Sequence, residues 1–292
     1  MANHLDGGIM GDVEPQYHIG LTADHLAGNG EMGRYVFLPG DRSRAARIAE
    51  RFVDVEHLSN PRGHDSYLGR LPAGDSGAAV DVLAISSGMG TPSTEIIATE
   101  LLDCGARRLV RVGSSAAMDP AVEPGSVVVV SGAVRDESTS DRWTPREFPA
   151  VSHPDAVAAM RAGARSAGLA ADTFIGLCHS KDSLFGREFG RGPLAQSNRA
   201  YVEALEASGV LATEMEASML FVLAAVASSG NARPLSAGPG QVPVSAACVL
   251  AIYGEVGSDA SRLADERAIT VACEGVRAWA AQDERGGSAE RG

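Results

Sequence analysis

Three short apolar segments of the chain each end in a turn that is rich in glycine, serine or arginine. The turns are residues 38–44, 87–93 and 110–115, and each follows a run that is typical of a buried strand. Strands that end in this way place backbone N–H groups, hydroxyls and guanidinium groups around one crevice of an open α/β sheet. Arginine with glycine and serine indicates an oxyanion site there, and phosphate is the anion we expect.

Strand-length apolar segments alternate with helical patterns along the rest of the chain. The alternation predicts a single α/β domain whose sheet is mixed and mostly parallel. Strands are predicted at 35–38, 80–85, 109–112, 126–130, 171–178 and 244–250. Helices are predicted at 43–52, 93–102, 153–167, 200–208, 216–229 and 258–283. We expect a disordered start at 1–15, a domain at 16–283, a loose loop at 228–243 and a flexible tail at 284–292.

The composition argues against several classes of partner. The 25 basic and 37 acidic residues give a net charge of −12, which repels nucleic acid and anionic membranes. No apolar run approaches the length of a bilayer span, and residues 1–15 match neither a signal nor a transit peptide, so we expect a cytoplasmic protein. The four widely spaced cysteines, Cys104, Cys178, Cys248 and Cys273, predict buried free thiols in a reducing compartment.

Two carboxylates flank a thioether in Glu214-Met215-Glu216, where a polar turn opens into the apolar run 221–226. A carboxylate at a buried helix entrance needs a partner. The hydroxyls of a sugar ring donate hydrogen bonds to a carboxylate, and methionine offers an apolar surface beneath the ring. The alternative explanation is a helix N-terminus that favours acidic residues in its first turn.

Five motifs occur in a fixed order along the chain, at residues 17–24, 39–44, 135–150, 181–186 and 214–216. Together they resemble the nucleoside phosphorylases of the uridine phosphorylase type, from Tyr17 to about Ala280. The resemblance implies one α/β domain around a distorted mixed β-sheet flanked by helices. It implies a hexamer built from dimers whose sites share residues across the interface. The implied reaction converts a nucleoside and inorganic phosphate, the co-substrate, into free base and pentose 1-phosphate without a cofactor or metal.

The resemblance also assigns residues to each part of the site. The implied phosphate-binding residues are Gly40, Arg44, Arg111 and Ser114, with Arg62 of the partner subunit. The implied ribose-binding residues are Glu214, Met215 and Glu216, with His18 of the partner subunit at the 5′ end. The implied catalytic residues are Arg111, Glu216 and Arg191. Taken alone, Arg44 fits a helix-surface charge, Arg111 a structural ion pair and His18 an ordinary loop residue.

The base-binding stretch departs from the family pattern. Uridine phosphorylases match uracil with a glutamine and an arginine, whereas this chain reads Arg187-Glu-Phe-Gly-Arg191. The predicted base-binding residues are therefore Phe185, Glu188 and Arg191, the last after a one-residue gap. A carboxylate at 188 accepts the N3–H of uracil. It also opposes the negative charge that develops on O2 during cleavage, unless Arg187 or Arg191 compensates.

A second departure follows the predicted strand 244–250. The family carries there an aspartate that protonates a purine or an arginine that assists a pyrimidine, but this chain reads Ala251-Ile-Tyr-Gly-Glu255. Only Tyr253 and Glu255 remain as candidates for that role. We therefore place phosphorolysis of uridine or a modified uridine first and purine nucleoside phosphorolysis second. A hydrolase of the same fold is disfavoured by the three phosphate arginines, and a non-catalytic nucleoside-binding protein is favoured by the missing base-activating residue.

Overall fold

The computed structural model describes residues 14–74, 78–229 and 242–289, with side chains up to residue 285. Most of the predicted disordered start and of the predicted loop at 228–243 lies outside these residues. The last helix ends at Ala289, so regular structure extends six residues past the predicted domain end at 283.

The described residues form ten strands of one sheet. They are β1 (Tyr35–Pro39), β2 (Val53–Leu58), β3 (Ser66–Leu71), β4 (Val80–Ile85), β5 (Arg108–Ala117), β6 (Val127–Asp136), β7 (Ala150–Val151), β8 (Thr173–Lys181), β9 (Ala212–Glu214) and β10 (Ser245–Tyr253). All of β1 and all of β10 except Tyr253 are buried, because helices cover both faces of the sheet.

Half of the sheet closes into a ring. β10 pairs in parallel with β5 and antiparallel with β6, while β8 links β6 to β9 and β9 returns to β5. The ring places the ends of β5, β8 and β9 next to one another. Strands β1, β4, β3 and β2 extend the sheet beyond β5.

The mixed and distorted sheet is confirmed, and the longest pairings in it, β5 with β10 and β6 with β8, are parallel. Among the pairings of the described strands, five are parallel and five antiparallel. Four of the antiparallel pairings involve β2, β3, β7 or β9, which the sequence patterns did not predict. β2 is mostly exposed and carries charged residues, so it lacks the apolar run that marks the buried strands.

The helices form two layers. They are α1 (Ala23–Leu26), α2 (Arg42–Ala49), α3 (Thr91–Asp103), α4 (Pro154–Ser166), α5 (Ala195–Ala207), α6 (Ala217–Ser228) and α7 (Asp259–Ala289). α3 and α6 cover one face of the sheet, and α2, α4 and α7 cover the other. α6 is apolar nearly all round because it packs between the sheet and α3. No helix in the described ranges has the length and apolar character that crossing a bilayer requires.

α4 and α7 approach each other most closely at Gly163. A Cβ atom at Gly163 would lie 2.3 Å from the backbone nitrogen of Gly275, so only glycine fits at this crossing.

We expect Gly163→Ala to lower the free energy of unfolding by about 2 kcal/mol, because the extra carbon forces the two helices apart. Urea denaturation measures the change. Ser166→Ala, on the exposed side of the same helix, is the matched control and should change the stability by less than about 0.5 kcal/mol. Equal effects of the two substitutions would contradict the close helix contact.

Candidate active site

Arg111 lies on β5 and is only 4% exposed. Its Nε donates to Oε2 of Glu214 at 2.9 Å, and its Nη2 forms an ion pair with Oε2 of Glu216. Its Nη1 is buried and has no hydrogen-bond partner among the described residues. A buried N–H of a guanidinium needs an acceptor, and an oxyanion provides the strongest one.

The backbone around Arg111 is shaped to hold its side chain. A Cβ at Gly113 would lie 2.6 Å from Nη2 of Arg111, so any larger residue would displace the guanidinium. The register of β5 with β10 places Arg111 opposite Cys248, inside the closed half of the sheet. Gly113 therefore leaves room for the guanidinium of Arg111, and the parallel pairing of β5 with β10 fixes where Arg111 lies in the sheet.

Glu214, the last residue of β9, caps helix α6. Its carboxylate accepts the N–H groups of Glu216 at 2.8 Å and of Ala217 at 3.0 Å, and the hydroxyl of Ser180 also donates to it. Burial works against its charge, but Arg111 and these donors lower the pKa of Glu214. The side chain of Glu214 is fully buried, so its carboxylate holds Arg111 and the start of α6 in place from inside the protein.

Glu216 differs from Glu214 in its surroundings. Its Oε1 accepts the N–H of Gly90 at 2.5 Å, while Oε2 faces Arg111. Burial raises the pKa of Glu216, and the negative charge of Glu214 adds to the effect although Arg111 opposes it. A helix N-terminus thus accounts for Glu214, whereas the side chain of Glu216, the N-cap residue, makes no cap and instead contacts Gly90 and Arg111.

Met215, between the two carboxylates, is partly exposed to an open cavity of about 580 Å³. Residues that line this cavity include Met89, Gly90, Thr139, Arg142, Asp182 and Met215. The thioether and the Gly90 turn that binds Glu216 therefore border the same space. Met215 thus gives the cavity an apolar surface, and the carboxylate of Glu216 lies one hydrogen bond behind the Gly90 wall, an arrangement that suits a sugar ring.

Arg44 is held inside the protein. Asp41 caps α2 by accepting the N–H of Arg44 at 2.9 Å. The guanidinium, in a residue 5% exposed, donates to Asp265 at 2.9 Å, to the hydroxyl of Tyr253 at 2.9 Å and to the carbonyl of Val112 at 3.3 Å. Its Nε has no partner among the described residues. Arg44 is therefore not a helix-surface charge, and it meets β5 one residue beyond Arg111.

Gly40 and Ser114 border the same region. Gly40 directly follows β1, and the hydroxyl of Ser86 donates to its carbonyl at 3.1 Å. Ser114 lies near the end of β5, pairs in register with Ala251, and has an exposed side chain. The turn after β1, the end of β5 and helix α2 thus bring the predicted phosphate residues of this protomer together.

His18 and Arg62 are separate from this cluster. His18 Nδ1 lies 2.6 Å from Oε1 of Glu100, and Arg62 donates to the hydroxyl of Tyr17 at 2.7 Å while stacking on its ring. Neither residue makes a hydrogen bond to Arg111 or Glu216 within the described part of the protomer.

The base-side residues lie on and after a π-helical turn, Leu184–Glu188. Arg187 donates two hydrogen bonds to Asp136, at 2.6 and 2.9 Å. Arg191 stacks over the ring of Phe185 at 4.8 Å. Glu188 instead lies 2.7 Å from Nζ of Lys181. The cation that pairs with Glu188 is thus Lys181, whereas Arg187 and Arg191 contact Asp136 and Phe185.

Tyr253 and Glu255 do not supply a proton donor beside the carboxylates. Tyr253 donates to Asp265 at 2.8 Å and accepts from Arg44, and burial raises the pKa of its phenol. Glu255 is exposed, and Ala251 is buried within β10. The sequence patterns gave no signal for Asp265, which lies 221 positions from Arg44 and reaches it only through folding of α7.

The prediction of buried free thiols is confirmed for the cysteines. All four cysteines are buried free thiols. Residues 14–74, 78–229 and 242–289 contain no group of three or more His, Cys, Asp or Glu side chains placed to hold a metal ion.

Comparisons with known proteins agree with this geometry. Residues 34–229 match the phosphorylase superfamily. The chain is 33% identical over 279 residues to the uridine phosphorylase of Treponema pallidum, which covers 92% of this chain and 95% of that protein. It is 31% identical over 273 residues to the uridine phosphorylase of Thermococcus kodakarensis, which covers 92% and 88%. The chain belongs to the phosphorylase superfamily.

Within the superfamily, the chain is a nucleoside phosphorylase of the uridine phosphorylase type and thus a pentosyltransferase. A guanosine phosphorylase of Halorubrum lacusprofundi is also similar, at 29% identity over 203 residues, which covers 68% of this chain and 75% of that protein. The predicted resemblance is confirmed.

The opposite pKa directions of the two glutamates predict opposite effects on the stability of this phosphorylase. The lowered pKa of Glu214 means that its charge stabilises the fold above its unfolded pKa, a contribution that is lost as the pH falls. We expect Glu214→Gln to cost about 3 kcal/mol at neutral pH.

The raised pKa of Glu216 means that its charge destabilises the fold once the pH exceeds the unfolded pKa. Glu216→Gln should therefore leave the free energy of unfolding unchanged or higher at neutral pH. Urea denaturation of both variants across the acid range measures the difference. Equal destabilisation by the two substitutions would refute the assignment of unequal environments.

Proposed function

We propose that this phosphorylase cleaves uridine, or a modified uridine, with inorganic phosphate to give uracil and a pentose 1-phosphate. The observation that carries the proposal is the buried Arg111, which pairs with Glu216 behind the Gly90 turn that lines the cavity and whose Nη1 has no hydrogen-bond partner among the described residues. A carboxylate for ribose and a guanidinium for phosphate thus lie next to each other, so neighbouring groups can bind the ribose hydroxyls and the phosphate that attacks C1′.

Each part of the site has a distinct task in this reaction. Phosphate accepts hydrogen bonds from Arg111 and Arg44, supported by Gly40 and Ser114. Glu216 accepts from the 2′- and 3′-hydroxyls while Met215 supports the ring. An oxygen of phosphate then bonds to C1′ as the bond between C1′ and the base nitrogen breaks, and the electron pair leaves with the base.

Two buried guanidinium groups favour phosphorolysis over hydrolysis. Arg111 and Arg44 each retain an unpaired N–H, at Nη1 and Nε, although their other nitrogens face carboxylates or carbonyls. Water as nucleophile does not require two such donors. A phosphate dianion satisfies both and offsets the cost of burying two cations.

A purine is disfavoured because residues 251–255 lack the aspartate that would protonate it, and a pyrimidine is therefore placed first. Guanosine is the second candidate, since a carboxylate at Glu188 also accepts from the N1–H and the amino group of guanine. The similar guanosine phosphorylase supports keeping this alternative.

We also propose a dimer-based oligomer, in the hexameric arrangement, in which Arg62 and His18 of the partner subunit complete each site. Both residues lie away from Arg111 in their own protomer, and Arg62 is exposed.

The enzyme needs no cofactor or metal in this proposal. A cytoplasmic location fits four free buried thiols.

The first test is base release from uridine, 5′-modified uridines, thymidine, inosine, adenosine and guanosine, with and without phosphate. We expect uracil only when phosphate is present. Arg44→Met should raise the KM for phosphate about tenfold or more and the KM for uridine far less. The reason is that, of the two substrates, only phosphate contacts the guanidinium in this proposal. Phosphate-independent release would instead identify a hydrolase, and guanine release would identify the second candidate.

The shared site is tested by mixing two inactive variants. Arg62→Ala and Glu216→Gln damage different subunits of one site, so a mixed dimer keeps one intact site. Random mixing by co-refolding should restore about a quarter of the wild-type activity, whereas the separate variants remain inactive. Failure to recover activity, with mixed dimers shown by mass spectrometry, would place both residues in one protomer's site.

A further inference from the structure

Lys181 is the only lysine of the chain, whose other 24 basic residues are arginines. It ends β8 and is 1% exposed. Its ammonium lies 2.7 Å from Oε2 of Glu188, 2.9 Å from Oγ1 of Thr213 and 3.3 Å from the carbonyl of Glu214. Three oxygens thus surround the three N–H donors, which is the arrangement a fully buried ammonium requires.

The contacts of Lys181 place Glu188 beside the ribose residues. The carbonyl that Lys181 contacts belongs to Glu214, the residue that precedes Met215. The ammonium of Lys181 therefore contacts both Glu188 and the strand end that leads into Met215 and Glu216. Its carboxylate is 19% exposed, so it is partly open to solvent while Lys181 beneath it is not.

A second ion pair fixes the adjacent residue of the same turn. Arg187 binds Asp136 through two hydrogen bonds, and Asp136 also accepts from Nε2 of His179 at 2.9 Å. His179 Nδ1 lies 3.1 Å from Oγ1 of Thr213, the same oxygen that Lys181 contacts. Since a carboxylate only accepts, His179 carries its proton on Nε2. Thr213 then donates to Nδ1 and accepts from Lys181.

The other cations near this turn are committed elsewhere. Arg187 is held by Asp136, by Asn198 at 2.8 Å and by stacking on Tyr201. Arg191 is exposed and stacks on Phe185. Lys181 is therefore the cation that faces Glu188 within the described residues.

We propose that Lys181 is a positioning residue for base recognition: it holds the carboxylate of Glu188 toward the N3–H of a uracil ring and neutralises it while the base departs. This role rests on the proposed cleavage of uridine. It assigns the specificity of the base site to a lysine–glutamate pair in place of the glutamine and arginine that uridine phosphorylases use.

The physical reason is the charge of the leaving base. As the C1′–N1 bond breaks, negative charge spreads over the uracil ring and its carbonyl oxygens. An isolated carboxylate at hydrogen-bond distance repels that charge, and the repulsion is strong in a site shielded from water. An ammonium 2.7 Å behind the carboxylate cancels most of it. Glu188 can then accept from N3–H without slowing the departure.

A kinetic comparison of leaving groups separates this role from a structural one. Lys181→Met leaves Glu188 uncompensated and should lower kcat/KM for uridine about a hundredfold. The loss should be several-fold smaller for 5-fluorouridine, whose more acidic base carries the negative charge more easily. Lys181→Met/Glu188→Gln removes both charges and should recover at least about tenfold of the activity. Arg165→Met, an exposed charge on α4, is the matched control and should behave like the wild type.

The single lysine also permits a direct binding measurement. Selective labelling of lysine with ¹³C at Cε gives one side-chain signal, that of Lys181. We expect uracil to shift this signal and inorganic phosphate alone to leave it nearly unchanged. The shift caused by uracil should be lost in Glu188→Ala, which still binds phosphate at Arg111 and Arg44.

The outcomes separate the two proposals. Absence of phosphate-dependent uracil release by the wild type would refute the proposed function. If the wild type cleaves uridine but Lys181→Met loses uridine and 5-fluorouridine activity equally, or the double variant recovers nothing, the role of Lys181 is refuted. A uracil-insensitive Lys181 signal in an enzyme saturated with uracil would refute it as well.

Discussion

One guanidinium shared by two carboxylates organises this structure. Arg111 is buried between Glu214 and Glu216, and burying three ionised groups is costly unless each is paired and hydrogen-bonded. Glu214 meets this requirement completely, through Arg111, Ser180 and the first N–H groups of α6. Glu216 has one partner for each oxygen, Gly90 and Arg111, whereas Nη1 of Arg111 has no hydrogen-bond partner among the described residues. The guanidinium is therefore the part of the cluster that still needs an acceptor.

The ring of strands brings this cluster together. Arg111, Lys181 and Glu214 belong to β5, β8 and β9; β9 pairs directly with β5 and β8, and β10 closes the ring between β5 and β6. The same closure places Ser180 under Glu214 and Lys181 beside Thr213. The residues proposed to bind phosphate and ribose therefore stand on or beside adjacent strand ends of one sheet. Hydrogen-bonded strand ends hold such groups in the fixed relative positions that catalysis needs.

The charges of the protein are divided between its surface and its interior. The chain carries a net charge of −12, yet it buries Arg44, Arg111 and Lys181 around one site. Each buried cation has a carboxylate partner: Asp265, Glu214 with Glu216, and Glu188. The binding of an anion thus depends on hydrogen-bond donors within the site, since the net charge of the protein repels anions. Such a site favours small phosphate-type ligands over polyanions.

The sequence by itself determined the fold class, the main helices and buried strands, and the phosphate and ribose segments. Apolar runs that end in Gly, Ser and Arg are local patterns, which can be recognised without knowledge of the fold. The tertiary structure decided which charges meet. Asp265 against Arg44 and Lys181 against Glu188 are pairs that join different elements, and the exposed strand β2 has no apolar run. Ion-pair partners depend on distances between elements, which residue spacing along the chain does not encode.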